Sequence, residues 1–198
     1  MQRHLVGRTD ELETRGFAKR SFSTLAEELS AGLRYPDVTK WLTVPEKQIA
    51  LVTCWLNNAV VALHDLAIPE TLVHGDFHPR NVTLVDGAAV LLDWSDAAIA
   101  NPVVDIFPWL EWLNDDEDAQ HAVWEAFLES WSDAIDVEAV RAKRHLLSGL
   151  GHAFHCVSYI NIIKGCEPIH AGQHADGLTG HFKKLTALLT EHPVAASR

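Results

Sequence analysis

The sequence predicts a mainly α fold interrupted by one small β-hairpin near its middle. Three observations carry the prediction. Apolar residues recur at helical spacing before Pro69, Asp86-Gly87 sits between two short β-rich runs at about residues 81–92, and the chain beyond Pro102 keeps a period near 3.6. A length of 198 residues suits one domain, so residues 1–198 are read as a single domain with a catalytic segment at 70–106.

Residues 1–20 are polar and lack periodicity, so poor order is expected there. Leu25, Leu29 and Leu33, at spacing four, predict a short helix within residues 21–34. Thr43-Val44-Pro45-Glu46 has the form of a capping box, with Thr43 as N-cap and Glu46 at the third position. The helix it opens places Val52, Trp55, Leu56, Ala59, Val60 and Leu63 on one face and stops before Pro69. Asn81–Val85 and Ala89–Leu92 flank Asp86-Gly87, and a two-residue turn of that kind needs φ > 0 at both positions. Val123, Trp124, Phe127, Leu128 and Trp131 predict one later helix. Val140, Leu147, Leu150, Phe154 and Val157 predict one or two more, and Phe182, Leu185 and Leu189 the last.

Composition narrows the function classes. Asp and Glu outnumber Lys and Arg by 27 to 16, a formal net charge of -11. That argues against a nucleic-acid backbone or an anionic membrane as partner. Cys54, Cys156 and Cys166 are too scattered for a disulfide framework and fit a reducing, cytoplasmic setting. No signal peptide is expected at the N-terminus, and no apolar run is expected to reach the ~18 residues of a span. The sequon Asn81-Val82-Thr83 is read as accidental.

The hairpin gives the polar residues a geometry. A turn centred between Asp86 and Gly87 sets Asn81 opposite Leu92 and Arg80 opposite Asp93, with facing residues about 5 Å apart. Asn81 and Asp93 therefore share the open end of the ribbon, where two hard oxygen donors suit Mg²⁺. Asp76, five residues before Asn81, reaches the same end. A carboxylate there that the metal does not need can orient a hydroxyl and accept its proton.

His74-Gly75-Asp76-Phe77-His78-Pro79-Arg80-Asn81 resembles the catalytic loop of the aminoglycoside phosphotransferase and choline kinase family, kinase-like enzymes acting on small molecules. Leu92-Asp93-Trp94 resembles the family's metal-binding segment, and Asn101-Pro102-Val103-Val104-Asp105 its later P-x-x-D element. The resemblance implies a helical C-terminal lobe of a protein-kinase-like fold. It implies Asp76 as catalytic base, His74 as the loop's brace and Asp105 as a structural carboxylate. Asn81 and Asp93 would hold Mg²⁺ on the phosphates of ATP or GTP, the co-substrate. Ser95 departs from the Gly that protein kinases place after the Asp-aromatic pair.

The family's N-terminal β-lobe is expected to be absent. Only 73 residues precede His74, mostly of helical character, with no Gly-rich loop. Lys19, Lys40 and Lys47 are the lysines among them, and none follows a β-branched run. Two alternatives follow: a non-catalytic helical remnant, self-associating through the face left bare, and a metallophosphoesterase on Gly75-Asp76-Phe77-His78. The second lacks a Gly-Asn-His element for a paired metal centre.

Bland readings compete at each position. Asp and Asn beside a turn often serve only as caps and Asx-turns, but here hairpin geometry and motif spacing agree. His78 is read as a loop histidine. His152, His155 and Cys156, with His170, His174 and His181, lack the paired short spacings of structural zinc, so no zinc site is expected. Trp109 and Trp112, with Leu110 and Leu113, are read as core. Glu111, Asp115, Asp116, Glu117 and Asp118 are read as a solvated stretch that offers carboxylates to a cationic acceptor.

Overall fold

The computed structural model describes residues 1–114 and 116–193. A 3-10 turn at Gln2–Leu5 leads to α1 (Thr9–Thr14) and β1 (Ala18–Lys19). Then come α2 (Phe22–Gly32), α3 (Pro36–Thr39) and α4 (Glu46–Leu63). The middle holds β2 (Thr71–Val73), β3 (Val82–Val85), β4 (Ala88–Leu91) and β5 (Ala98–Ala100). The chain continues through α5 (Ile106–Trp112), α6 (Glu117–Trp131), α7 (Val137–Ala142), α8 (Arg144–Gly165) and α9 (Pro168–Glu191). The fold is mainly α, as the periodicity predicts.

The chain forms two compact units. One comprises Met1–Ser21 and Leu66–Lys143, the other Phe22–Asp65 and the residues from Arg144 onward. Among the described residues, the regular elements of the second unit are all helices. Leu25, Leu29 and Leu33 are buried, as their spacing requires, and so are Val52, Trp55, Leu56, Ala59 and Leu63 of α4. The capping box does not form. Pro45, extended at φ -60° and ψ 141°, is the N-cap of α4, and no side chain caps it. Thr43 instead donates its Oγ1–H to the Thr39 carbonyl at 3.2 Å, bonding back to the preceding turn.

Two stretches, Glu46–Leu66 and Arg144–Gly165, are long and apolar enough to cross a bilayer by length and composition, contrary to the expectation above. In α8 78% of that window is buried, because core helices select the same residue types as lipid does.

The first unit carries the β-structure. β3 and β4 pair antiparallel, Val82 with Leu91 and Val85 with Ala88. Asp86 and Gly87 adopt φ 51° and 78°, the doubly positive turn that an Asp-Gly step predicts. A second sheet was not predicted: β5 lies between β1, parallel to it, and β2, antiparallel. Its strands are two or three residues long, too short for alternation to show. The first twenty residues, expected to be poorly ordered, hold a 3-10 turn, a helix and a strand. Tertiary contacts fix them, since Leu12 is buried with Leu72 and Ile99 against Leu5, Phe17, Trp94 and Ala97.

Gly149 of α8 tests the packing of the helical unit. A Cβ there would lie 2.6 Å from Trp55 Cζ3. The indole cannot step aside freely, because its Nε1–H donates to the His192 carbonyl at 2.9 Å. Gly149→Ala should destabilise by about 1–3 kcal/mol from overpacking, outweighing the gain of up to about 1 kcal/mol in helix propensity. Gly180→Ala, where a Cβ meets nothing within 4 Å, should keep that gain. Urea unfolding of the two variants checks the contrast.

Candidate active site

Strand β2 delivers the chain to His74, which is buried. From there one carboxylate sets the path. Asp105 accepts the His74 N–H on Oδ2 at 2.8 Å and the Gly75 N–H on Oδ1 at 2.9 Å. Its Oδ2 also accepts Gln2 Nε2–H at 2.8 Å. Asp105 ends a 3-10 turn, Pro102–Asp105, that Asn101 caps by accepting the Val103 N–H at 3.0 Å. Gly75 adopts φ 84°, and a Cβ on it would stand 2.8 Å from the Asp96 backbone carbon. The left-handed conformation and the close approach both require glycine.

The His74 ring spans the loop. Its Nε2 lies 2.7 Å from the Leu92 carbonyl, which can only accept, so Nε2 carries the proton. Nδ1 is then the acceptor facing the Asp76 N–H at 3.4 Å. Trp94 and Phe77 flank the imidazole, with ring centroids 4.8 and 5.9 Å away.

Asn81 closes a 3-10 turn whose N-cap is His78, the His78 Nδ1 accepting the Arg80 N–H at 3.2 Å. Its Nδ2 donates to the Asp76 carbonyl at 2.9 Å and to Asp76 Oδ2 at 3.2 Å. Its own carbonyl accepts the Leu92 N–H at 2.8 Å. The ladder therefore runs one step beyond the strands, with Asn81 facing Leu92 and Asp93 next along. Asp93 adopts φ 55°, a left-handed conformation that Asp tolerates. Its Oδ1 accepts the Ser95 Oγ–H at 2.7 Å and the Ser95 N–H at 3.4 Å. The Ser95 hydroxyl holds the Asp93 carboxyl below the usual range. Burial pushes Asp96 up, against the pull of Arg20. His78 Nε2 lies 3.4 Å from Asp76 Oδ2, and the Asp76 side chain is 41% exposed, within reach of a ligand.

The structure thus joins Asp76 directly to Asn81, places Asp93 one residue beyond Leu92, the partner of Asn81 across the ribbon, and places His74 and Asp105 in the support of the loop. Sequence reasoning did not find the parts played by Gln2, Ser95 or Asp96. Trp112, read as core, is 43% exposed. It stacks on His78 at a centroid distance of 5.6 Å, with the Arg80 guanidinium 4.9 Å from its ring. The signal was present: Ile106, Phe107 and Leu110 form the buried stripe of α5, and Trp112 falls off that spacing. In the acidic stretch Asp116 caps α6, accepting the Ala119 N–H at 2.9 Å, while Asp115 lies outside the described residues. A cavity of about 530 Å³ touches His74, Phe77, Asp105 and Trp131, but Asp76, Asn81 and Asp93 do not line it. It is not where the polar groups converge.

A loop carboxylate bound to a turn amide, with a second carboxylate across a hairpin, is the arrangement of a kinase-like phosphotransferase. Comparison with protein families matches residues 3–143 to the phosphotransferase enzyme family, and the chain belongs to that family. No curated protein matches the sequence closely enough to count as a relative.

Burial pushes Asp105 up to about 6, although the His74 and Gly75 N–H groups pull it down. Below about pH 4 the group is protonated folded and unfolded. Between 4 and 6 only the folded state holds the proton, so its stabilising contribution is lost as pH rises through 6. The loss sums to about 3 kcal/mol between folded and unfolded values of about 6 and 3.8. Asp105→Asn removes this titration while leaving one backbone N–H facing an amide N–H. Its stability deficit against the parent should therefore be largest at pH 4 and shrink by pH 7.5. Denaturant midpoints across that range give the answer, and a constant deficit would show that burial does not raise this carboxyl.

Proposed function

We propose that the chain transfers the γ-phosphoryl group of ATP or GTP to a hydroxyl of a small molecule. The observation that carries the reading is the contact of Asp76 with Asn81, on a loop fixed by Asp105 and His74, beside Asp93. The acceptor hydroxyl oxygen forms a bond to the γ-phosphorus, the bond from that phosphorus to the β–γ bridging oxygen breaks, and the nucleoside diphosphate leaves with its electron pair. Asp76 Oδ accepts the hydroxyl proton and passes it to solvent. A carboxylate is a weak base, but in a loose transition state the gain comes from orienting the nucleophile. Asn81 Nδ2–H and the nearby His78 hold the Asp76 carboxylate in place for that task.

The donor chemistry suits Mg²⁺. Asn81 commits its Nδ2 to Asp76, and among the described residues its Oδ1 receives no donor, leaving a hard amide oxygen. Asp93 keeps Oδ2 beyond the grip of Ser95 on Oδ1, and its lowered pKa keeps it ionised near neutrality. When bound, the ion would neutralise charge on the nucleotide phosphates. The acceptor class extends to aminoglycosides, choline-like alcohols, sugars and hydroxy amino acids, and the net negative charge favours a cationic member. A cytoplasmic setting, where both nucleotides are abundant, fits the three free cysteines.

The assay uses high nucleotide. Phosphorus NMR with Mg-ATP or Mg-GTP and a panel of amino alcohols should show nucleoside diphosphate and a phosphomonoester. Asp76→Asn should lower turnover roughly 10²–10⁴-fold with nucleotide KM little changed. Unaltered turnover would remove Asp76 as the base. Asp93→Asn should raise the Mg²⁺ concentration needed for half-maximal rate.

One observation favours a second reading, a self-associating module. The hairpin leaves Leu84 73%, Val85 52% and Leu92 45% exposed, an apolar ribbon of unusual bareness. On that reading sedimentation shows concentration-dependent dimers that Leu84→Lys abolishes, while the chain transfers no phosphate.

A further inference from the structure

Within the helical unit α8 and α9 pack side by side, and three histidines meet on their seam. His152 and His155, on successive turns of α8, are buried. His152 Nδ1 lies 3.1 Å from Nδ1 of His181 on α9. The His155 ring stacks on His181 at 4.8 Å between centroids and 27° between planes. The helices approach closely because Gly177 lacks a side chain where the Tyr159 ring lies, a Cβ there falling 2.6 Å from Tyr159 Cε1.

Two imidazole Nδ1 atoms so close cannot both present bare lone pairs to each other. One proton or one cation must sit between them. Zinc bonds imidazole nitrogen at about 2.0–2.1 Å, and two such bonds at a tetrahedral angle set the nitrogens about 3.3 Å apart. The observed spacing is already within a few tenths of an ångström of that value. Imidazole pairs suit zinc, nickel and copper, whereas magnesium and calcium take oxygen donors.

We propose that His152 and His181 bind a divalent transition-metal ion, zinc in first place, through their Nδ1 atoms in exchange for the proton they otherwise share. The ion clips α8 to α9. Two protein nitrogens leave further positions for water or a small anionic ligand. The proposal uses none of Asp76, Asn81 or Asp93, so it stands independently of the phosphotransfer reading.

The test is calorimetric titration of the chelator-treated full chain with zinc chloride in excess Mg²⁺, together with thermal unfolding. One saturable equivalent and a higher Tm are expected. His152→Gln and His181→Gln should each weaken binding at least tenfold, while His170→Gln, at an exposed position, should not. Cobalt(II) on the unaltered chain should give the visible ligand-field bands of a nitrogen-ligated site, which decides the matter should the buried His152 variant not fold. Absence of a saturable equivalent, or binding that survives both substitutions, overturns the proposal.

Discussion

The site depends on the placement of one carboxylate. Asp105, buried at the end of a 3-10 turn, spends its two oxygens on successive backbone N–H groups of the loop at His74 and Gly75. Hydrogen bonds to a charged acceptor contribute roughly 1.5–3 kcal/mol each, enough to offset much of the cost of taking a carboxylate out of water. Two parallel bonds also fix direction. A loop gripped at adjacent amides cannot rotate about its own axis, and this is why the next residue, Asp76, emerges toward solvent. Gly75 is the complementary condition, since any side chain there would meet the Asp96 backbone and push the loop off the carboxylate.

From Asp105 the constraint travels through His74 to the hairpin. The imidazole donates to the Leu92 carbonyl, and the Leu92 N–H donates to Asn81. Leu92 thereby serves the loop through its carbonyl and the ladder through its N–H, and Asp93 follows directly. An otherwise marginal two-stranded ribbon acquires a defined base even though its outer residues are bare. The carboxylates are differentiated by their surroundings. Asp93 is held ionised by Ser95, Asp96 is pushed toward its neutral form by burial, and Asp76 stands half in solvent.

Much of this was legible in residue order. Asp86-Gly87 sets its turn by backbone sterics alone, so the register of the ribbon, and with it the pairing of Asn81 with Leu92, could be counted from the sequence. Helix stripes of α2 and α4 were legible because their period is set by burial. What stayed hidden has a common cause, contact between residues far apart in the chain or elements too short to show a period. Gln2 reaches Asp105 across 103 positions, and β1, β2 and β5 are only two or three residues long. Thr43 misled because a capping pattern competes with bonding back to Thr39, and sequence does not say which wins. Ser95 looked like a departure from a kinase pattern, yet its hydroxyl donates to the Asp93 carboxylate.

The same limit governs the histidine seam. Along α8, His152 and Cys156 lie one turn apart, yet they lack the paired short spacings of a structural zinc site. The structure divides the two. Cys156 is fully buried, its Sγ directed at the Leu178 carbonyl at 4.0 Å, and burial pushes its thiol well up, away from the thiolate a metal needs. His152 turns instead to His181, 29 residues on. A seam that offers imidazole and withholds thiolate selects for metals of intermediate softness, and one closed by two nitrogens on separate helices responds to the distance between those helices. Metal occupancy and α8–α9 packing are then one equilibrium: whatever spreads the helices by an ångström releases the ion, and the ion in turn resists the spreading.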